Sequence, residues 1–369
     1  MTNLSRRRFM TSAPIALGAV SLQTGCASGS DADSYERAAE RIRGAGPLGG
    51  LEGEALTFEL IRYATLAPSS HNTQCWRFAR DVNAITIAAD LSRLCPAVDP
   101  DEHHVFVSLG CALENLVHAA LAHGLKAAPA FDGTQSVIRV ALSPTNVEST
   151  QLFRAITTRQ CTRGDYDAKP LQPEELRLLE LAGTSDHVRI LLLTDAPAVE
   201  RVLDYVLQAN TAQMADPAFV RELKTWIRFN RAEAMRTADG LYSGTTGNPT
   251  IPTWIGELAF GWFFKEKSEN AKYVHQIRSS SGIAVFVGDA ADKATWVDVG
   301  RCYERFALQA TALGVRNAMI NQPVEVKQVR PDFASAIGIG DRRPDLVVRF
   351  GRGAAMPFSL RRPVQAVLV

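Results

Sequence analysis

The sequence lacks an excess of charge of either sign: 40 Lys and Arg stand against 39 Asp and Glu, for a formal net charge of +1 over 369 residues. Nucleic acids and acidic membranes attract proteins through a basic excess, so neither is an expected partner. Cysteine is sparse. Cys26, Cys75, Cys95, Cys111, Cys161 and Cys302 are widely scattered and form no C-x-x-C pair. That excludes a disulfide framework and a zinc ribbon, while leaving room for one bridge in an oxidising compartment. There is no P-loop and no G-x-S-x-G. Gly338-Ile-Gly340 and Gly351-Arg-Gly353 lack the strand-then-helix setting of a dinucleotide fingerprint and read as turns. His103-His104 has no acidic or cysteine partner at ligand spacing, so it reads as a surface pair and no metal is expected. What these absences leave is a protein with a small-molecule ligand.

The first segment reads as an address. Ser5-Arg6-Arg7-Arg8-Phe9-Met10 has the form of a twin-arginine export signal, followed by an apolar run from Phe9 to Leu22 that Pro14 and Gly18 interrupt. The run is too short to span a bilayer. Residues 1–30 are therefore expected to be signal peptide and linker, with the export machinery as a partner and the periplasm or cell envelope as the destination. Leu22-Gln23-Thr24-Gly25-Cys26 is similar to a lipoprotein cleavage box, with Gln23 where Leu is usual, so a lipid anchor at Cys26 and simple cleavage nearby both stay open. The remaining chain is expected to have no transmembrane segment. The twin-arginine route carries folded proteins, which suits one loaded with its cofactor before crossing.

An internal repeat organises the rest. Residues 107–126 match 297–316 without gaps at an offset of 190, sharing Gly110 and Gly300, Glu114 and Glu304, Ala120 and Ala310, and Gly124 and Gly314. Each copy reads as an apolar helix with small residues for close packing and a Gly suited to a left-handed C-terminal cap. Ile61–Ala67 matches Leu176–Ala182 at an offset of 115, each a helix leading to a strand, Trp76–Arg80 and Val188–Leu193 respectively. The two offsets differ by 75, so the second half carries an insertion of that size between Asp195 and Trp296. Inside it Met214–Gly240 reads as helix. A Gly, Thr and Pro-rich loop (Gly244–Pro252) follows, then the aromatic run Trp254, Phe260, Trp262, Phe263 and Phe264, which is read as core or as a lid over a flat ligand. Val137–Leu142, Ile283–Val287 and Leu346–Phe350 have strand character. The expected class is α+β, internally duplicated, with halves at 31–150 and 151–369 and a helical and aromatic insertion at about 196–280.

Three segments carry a family likeness. Ala67-Pro68-Ser69-Ser70-His71-Asn72-Thr73-Gln74-Cys75-Trp76 resembles the flavin-contacting loop of the nitroreductase superfamily, particularly its Acg-like branch, with Cys75 in place of the usual Pro. A loop of short hydroxyl and amide side chains can match the carbonyls and N3–H of an isoalloxazine edge. Arg159-Gln160-Cys161-Thr162-Arg163 is similar to the Arg-x-Ser-x-Arg phosphate clamp of that family, with Cys161 for Ser. Two guanidinium forks suit a dianionic phosphate. Met356-Pro357-Phe358-Ser359-Leu360-Arg361-Arg362 resembles the closing motif, which makes Ser359 and Arg361 further phosphate ligands. Asn321 and Gln322 fall where the family runs its backbone past flavin N5.

The resemblance implies an FMN-dependent nitroreductase-like fold folded as a pseudo-dimer in one chain. FMN would be held by Pro68, Ser69, Ser70, Asn72 and Gln74 on one side and by Arg159, Cys161, Arg163, Asn321, Gln322, Ser359 and Arg361 on the other. The first half has the loop without the Arg pair. The second has the Arg pair, with Gly183-Thr184-Ser185-Asp186-His187 where the loop should be, so one site is complete and its counterpart has decayed. The implied activity is an oxidoreductase whose flavin N5 takes electrons from NAD(P)H and reduces a flat acceptor, a nitroaromatic or quinone; no protein side chain is assigned as catalytic. Two rivals are a lid-covered flavin-sequestering protein without nicotinamide-dependent turnover, and a flavin-free exported binding module.

Overall fold

The computed structural model describes residues 29–369, without the side chains of residues 29–33, 262 and 263; the export signal and Cys26 lie outside the described residues. The chain opens with helices α1 (Gly29–Arg43) and α2 (Gly53–Thr65), then alternates strands β1 (Trp76–Asp81) and β2 (Ala84–Ala89), helix α3 (His103–Ala122), and strands β3 (Leu125–Asp132) and β4 (Val137–Pro144). Helices α4 (Gln151–Ala155) and α5 (Pro173–Ala182) lead to β5 (Val188–Leu193). The inserted run follows: α6 (Ala196–Ala215), α7 (Pro217–Trp226), β6 (Ile227–Arg228), α8 (Arg231–Thr237), β7 (Leu241–Tyr242), α9 (Thr253–Phe263) and α10 (Glu266–Arg278). The chain closes through β8 (Gly282–Gly288), α11 (Lys293–Ala312), β9 (Arg316–Met319), α12 (Gln322–Glu325), α13 (Arg330–Ala336) and β10 (Leu346–Gly351).

The α+β class holds, and the duplication is visible in the sheets. One antiparallel sheet has the order β1-β2-β4-β3 and the other β5-β8-β10-β9, the same order when the strands of each are counted along the chain. Register follows the pattern of burial: Trp76 and Phe78 of β1 point inward opposite Ala89 and Ile87, while Arg77 between them is exposed. Every residue of β8 and of β10 is buried, as befits the two central strands of the second sheet.

Helices α3 and α11 pack against each other through matching points of the repeat. A Cβ on Gly110 would lie 2.0 Å from the Val297 carbonyl oxygen, and a Cβ on Gly300 would lie 2.0 Å from the Val107 carbonyl oxygen. The pairs 110/297 and 300/107 exchange under the 190-residue offset, which is how a two-fold axis acts on two copies of one surface. The Cys111 thiol donates to the Gly300 carbonyl at 3.2 Å. Gly124 (φ 75°) and Gly314 (φ 69°) end the copies in the left-handed region, where glycine adds no Cβ penalty. By length and hydropathy α3 could cross a membrane, yet most of it is buried as a core helix.

Two sequence expectations need correction. Met214–Gly240 is two short helices rather than one. Pro217 has no N–H to continue α6, and Asp216 accepts the Ala218 amide at 2.8 Å to start α7; Asn230 likewise accepts the Glu233 amide at 3.0 Å to start α8. His103 and His104 are buried, at 0% and 4% exposure, rather than on the surface. A turn in which the Cys95 carbonyl accepts the Val98 and Asp99 amides brings Asp99 back over the start of α3, and Asp345 arrives from the other sheet at 2.9 Å from His103 Nε2. Acidic partners are therefore present, one of them supplied 242 residues away.

Because the α3–α11 contact leaves no room for a methyl group, Gly110→Ala and Gly300→Ala should each destabilise the protein by about 1–3 kcal/mol or more. Gly261→Ala in α9, where a Cβ would meet nothing within 4 Å, should be neutral or stabilising. Denaturant unfolding of the three variants is the check; equal midpoints would show that the helices do not approach this closely.

Candidate functional site

The loop after α2 is built against local preference. His71 (φ 49°), Asn72 (φ 54°) and Gln74 (φ 54°) all lie in the left-handed region, which costs a non-glycine residue about 1 kcal/mol each or more. Surrounding bonds hold the loop there. Ser69 Oγ accepts the Gln74 amide at 2.9 Å; Gln74 Nε2 donates to the Ala238 carbonyl at 2.8 Å, and its Oε1 accepts the Arg362 amide at 2.8 Å. Asn72 Nδ2 donates to the carbonyls of Gly240 (3.1 Å) and Leu360 (3.3 Å), and the Gly240 amide donates to the Asn72 carbonyl at 3.2 Å. The inserted segment at 238–240 and the C-terminal segment thus clamp the loop from two sides.

Arg361 completes the clamp. Its Nε donates to the Thr65 carbonyl (2.7 Å), one terminal nitrogen to Asn72 Oδ1 (2.9 Å) and the Leu360 carbonyl (3.0 Å), and the other to the carbonyls of Ala67 (2.9 Å) and Leu66 (3.2 Å). A guanidinium has five donors, and all five are engaged here. In this arrangement Arg361 positions the loop. The donors with no partner among the described residues belong to its neighbours: Nη1 of Arg159 and Nε of Arg43, both buried.

Arg159 sits where three elements meet. It is 1% exposed, its Nη2 donates to the Leu66 carbonyl at 2.7 Å, and its Nε lies 3.1 Å from Oε1 of Glu304 on α11. Arg43, at the end of α1, donates to the carbonyls of Arg159 (3.0 Å) and Thr157 (3.2 Å), with its guanidinium 4.3 Å over the Phe358 ring. Three buried guanidiniums therefore face one buried carboxylate. Burial, followed by the charges of Arg361 and Arg159, pulls Arg43 well below its ordinary range, and burial with Arg159 pulls Arg361 down to about 9. Burial pushes Glu304 up to about 7, with Arg159 only partly offsetting it, while Glu304 keeps Arg159 fully charged against the same burial. The cluster is short of negative charge, and a dianion would supply it.

A cavity of about 40 Å³ opens at this cluster. Pro68, Ser69, Asn72, Arg159, Cys161, Arg163, Ser359 and Arg361 line it, eight of the residues expected from sequence. Ser70, Gln74, Asn321 and Gln322 do not. Gln74 spends its amide holding the loop, as described above. Asn321 Oδ1 accepts the Val347 amide at 2.8 Å and so ties β10 to the start of α12. Arg43, Gln160, Leu241 and Pro357 also line the cavity and were not anticipated. Gln160 lies inside the Arg159–Arg163 run, and its place at the cavity is set by bonds to both the amide (2.9 Å) and the carbonyl (2.8 Å) of Met356, 196 residues away, which no local motif signals. Arg43 belongs to no motif. Of the aromatic run, Trp254, Phe260 and Phe264 do not line the cavity: Phe260 and Phe264 stack on each other at 4.9 Å, Trp254 is 68% exposed, and the insertion reaches the cavity through Leu241.

The equivalent place on the other side of the repeat is built differently. Glu114, the counterpart of Glu304, is bound by Arg301 at 2.8 Å and Arg305 at 3.4 Å from its partner helix. These arginines line a second cavity with Ser185, Asp186, His187, Asp298 and Cys302. Here the cations are on α11 itself, and Gly44 and Leu48 stand where the 115-residue offset would require the arginines of the clamp.

No family model matches the chain. A protein of Mycobacterium tuberculosis H37Rv named "Putative NAD(P)H nitroreductase acg" is 23% identical over 318 residues, covering 83% of this chain and 93% of that protein. A second from the same strain, "Putative NAD(P)H nitroreductase Rv3131", is 22% identical over 307 residues, covering 79% and 83%. Among solved structures, the FMN-dependent nitroreductase NfnB of Mycobacterium smegmatis in complex with NADPH aligns with 55% of this chain and 87% of its own, at 14% identity and a TM-score of 0.37. A nitroreductase with bound FMN from Desulfitobacterium hafniense aligns with 58% and 95%, at 12% identity and a TM-score of 0.38. The sequence likeness places proteins of the nitroreductase superfamily among the relatives of this chain. Within that superfamily the similarity runs to the Acg-like proteins.

The loop also carries a pH signature. Burial, with the charge of Arg163 next, holds the His71 imidazole down to about 4 from its ordinary 6.5, and its Nε2 has no partner among the described residues. A base lowered by folding contributes stability that is complete above pH 6.5 and is lost as the pH falls through about 4. The Tm of the protein should therefore drop across that interval, and His71→Gln should flatten the profile there. A profile identical to that of the unsubstituted protein would show that His71 titrates freely.

Proposed function

We propose that the chain binds FMN between two nitroreductase-like halves, residues 31–150 and 151–369, and works as an oxidoreductase of that type. The observation that carries this reading is the buried excess of guanidinium over carboxylate at Arg43, Arg159 and Arg361, with unpartnered donors on Arg43 and Arg159 at one cavity. A phosphate monoester, carrying nearly two charges and three acceptor oxygens, fits that donor set. The cavity is of a size for the phosphate end. A flat ring would extend from it along Ser69, Asn72, Gln160 and Arg163 toward Leu241.

In this reading Arg43 and Arg159 hold the phosphate with Arg163 and Ser359 beside them, and Arg361 and Asn72 fix the loop whose Ser69 orients the ring. Ser70, Gln74 and Cys161 shape the surroundings, and Asn321 supports β10 behind them. No Asp, Glu or His lines the cavity among the described residues, so the chain contributes binding and orientation rather than proton transfer. A bound flavin would supply the redox chemistry between a reduced nicotinamide and a flat acceptor such as a nitroaromatic or quinone. The names of the relatives support NAD(P)H as donor. The leader at 1–30 supports export of the loaded protein to the periplasm or cell envelope, with Cys26 as a site for a lipid anchor.

One observation favours a second reading. Ala238 and Gly240 bond to the loop, and Leu241 lines the cavity, so the insertion at about 196–280 borders the site, where it would restrict a nicotinamide. An exported protein also meets little reduced nicotinamide. The alternative is a flavin-sequestering protein.

The visible spectrum of the full chain purified from cytoplasm, followed by anaerobic addition of NADH, NADPH and dithionite, separates these readings. Flavin absorbance bleached by a nicotinamide is the expected result; bleaching by dithionite alone selects sequestration, and a colourless protein overturns the proposal. Arg159→Lys combined with Arg163→Ala keeps a charge beside Glu304 but removes both forks, and should weaken FMN binding by about tenfold to a hundredfold per lost contact.

A further inference from the structure

We propose that Asp99, His103 and His104 form a second site on this chain, one that takes a divalent transition-metal ion of the zinc class. It rests on geometry independent of the flavin. One ligand atom from each of the three residues lies within 4.8 Å of the other two, and all three residues are buried.

The His103 and His104 rings lie 4.7 Å apart, and the hydrogen bonds around them leave a ligand atom free on each of the three residues. The Nε2 of His103 is 2.9 Å from Asp345 Oδ1, and the other oxygen of Asp345 accepts the Gly288 amide at 2.7 Å. With its Nε2 proton committed to that carboxylate, His103 presents a lone pair at Nδ1, which has no partner among the described residues. A ligating imidazole that donates its second N–H to a carboxylate is the usual support of a metal-bound histidine. Both ring nitrogens of His104 are buried and also without a partner among the described residues. A buried neutral imidazole ordinarily donates with one nitrogen and accepts with the other, so this ring is unexplained by the protein alone. Asp99 Oδ1 lies 3.9 Å from His104 Nδ1, too far for a hydrogen bond. Two ligands of one ion, at bond lengths of about 2.1 Å, are separated by roughly 3.4 Å at the tetrahedral angle and more at wider angles, so 3.9 Å suits a shared ion. Asp99 Oδ2 is occupied by the Val105 amide at 3.1 Å, which fixes the carboxylate and leaves Oδ1 for the ion.

Charge agrees with the assignment. Two carboxylates, Asp99 and Asp345, balance a divalent ion, and the buried Glu325 acts on His104 from α12. The two arginines whose charges reach His103 are engaged elsewhere: Arg343 is bound to Asp101 at 2.6 Å and rests over the Trp296 ring, and Arg330 donates its Nε to the Val324 carbonyl at 2.6 Å. Two imidazoles with one carboxylate select zinc, cobalt or iron over calcium and magnesium, which prefer all-oxygen sites. Such an ion would pin the start of α3 to the turn at 95–99 and, through Asp345, to the segment leading into β10.

The test uses the full chain stripped with a chelator and titrated with Zn²⁺ and with Co²⁺. One equivalent of each per chain, visible d–d absorption from Co²⁺, and a Tm that rises with Zn²⁺ are expected. His104→Gln and Asp99→Asn should each weaken binding at least tenfold, and Asp345→Asn, through its hold on His103, by about tenfold to a hundredfold. The inference is overturned by wild-type protein that binds well under one equivalent. It is equally overturned by a thiolate-to-cobalt charge-transfer band, which would place the ion on cysteine, or by variants that bind as tightly as wild type. The wild-type titration stands alone should a variant fail to fold.

Discussion

The buried pair of Arg159 and Glu304 is the contact on which the rest of the site depends. Glu304 is fixed by α11, Arg159 by the segment after α4, and the Nη2 of Arg159 holds the Leu66 carbonyl that ends α2 ahead of the loop at Pro68. Removing one partner of such a pair leaves an uncompensated charge in the interior, at a cost of about 3–5 kcal/mol. The pair is also unbalanced by design of its neighbours. Arg43 and Arg361 add two more positive charges at the same depth, which a neutral core would not tolerate and a bound dianion would relieve.

Duplication explains how such a site arises once and not twice. The two central helices are related by the exchange of Gly110 and Gly300, and each carries a buried glutamate at the corresponding turn. Glu304 receives its arginine from a distant segment, whereas Glu114 receives Arg301 and Arg305 from the helix against which it packs. The same carboxylate thus serves an internal ion pair on one side and a ligand-facing cluster on the other. Strand order survived the divergence because it is set by the hydrophobic faces of both sheets; side-chain partners did not.

Much of this was legible in the sequence. The gapless repeat located both core helices, their caps and their counterpart strands, because burial of the same face imposes the same spacing of small and apolar residues. The loop at 68–74, the arginines at 159 and 163, and the tail at 359–361 were recognisable as short motifs, and eight of these residues meet at one cavity. The break of Met214–Gly240 into two helices was underestimated, although Pro217 and Asn230 were there to signal it.

By itself the sequence determined the class of fold, the positions of the two equivalent helices and the polar segments that converge, since each is written in local periodicity and residue type. Only the tertiary structure decided which donors remain free. Arg361 reads as a ligand residue, yet its five N–H groups are spent on the neighbouring Leu360 carbonyl and on three carbonyls and an amide nearly 300 residues away, while Arg43, outside any motif, brings a free donor to the same place. His103 and His104 read as a surface pair, yet both are buried, and Asp345 reaches His103 from the segment before β10. The physical reason is common to all three: hydrogen-bond capacity is fixed by residue type, but its expenditure depends on long-range neighbours that no local pattern records.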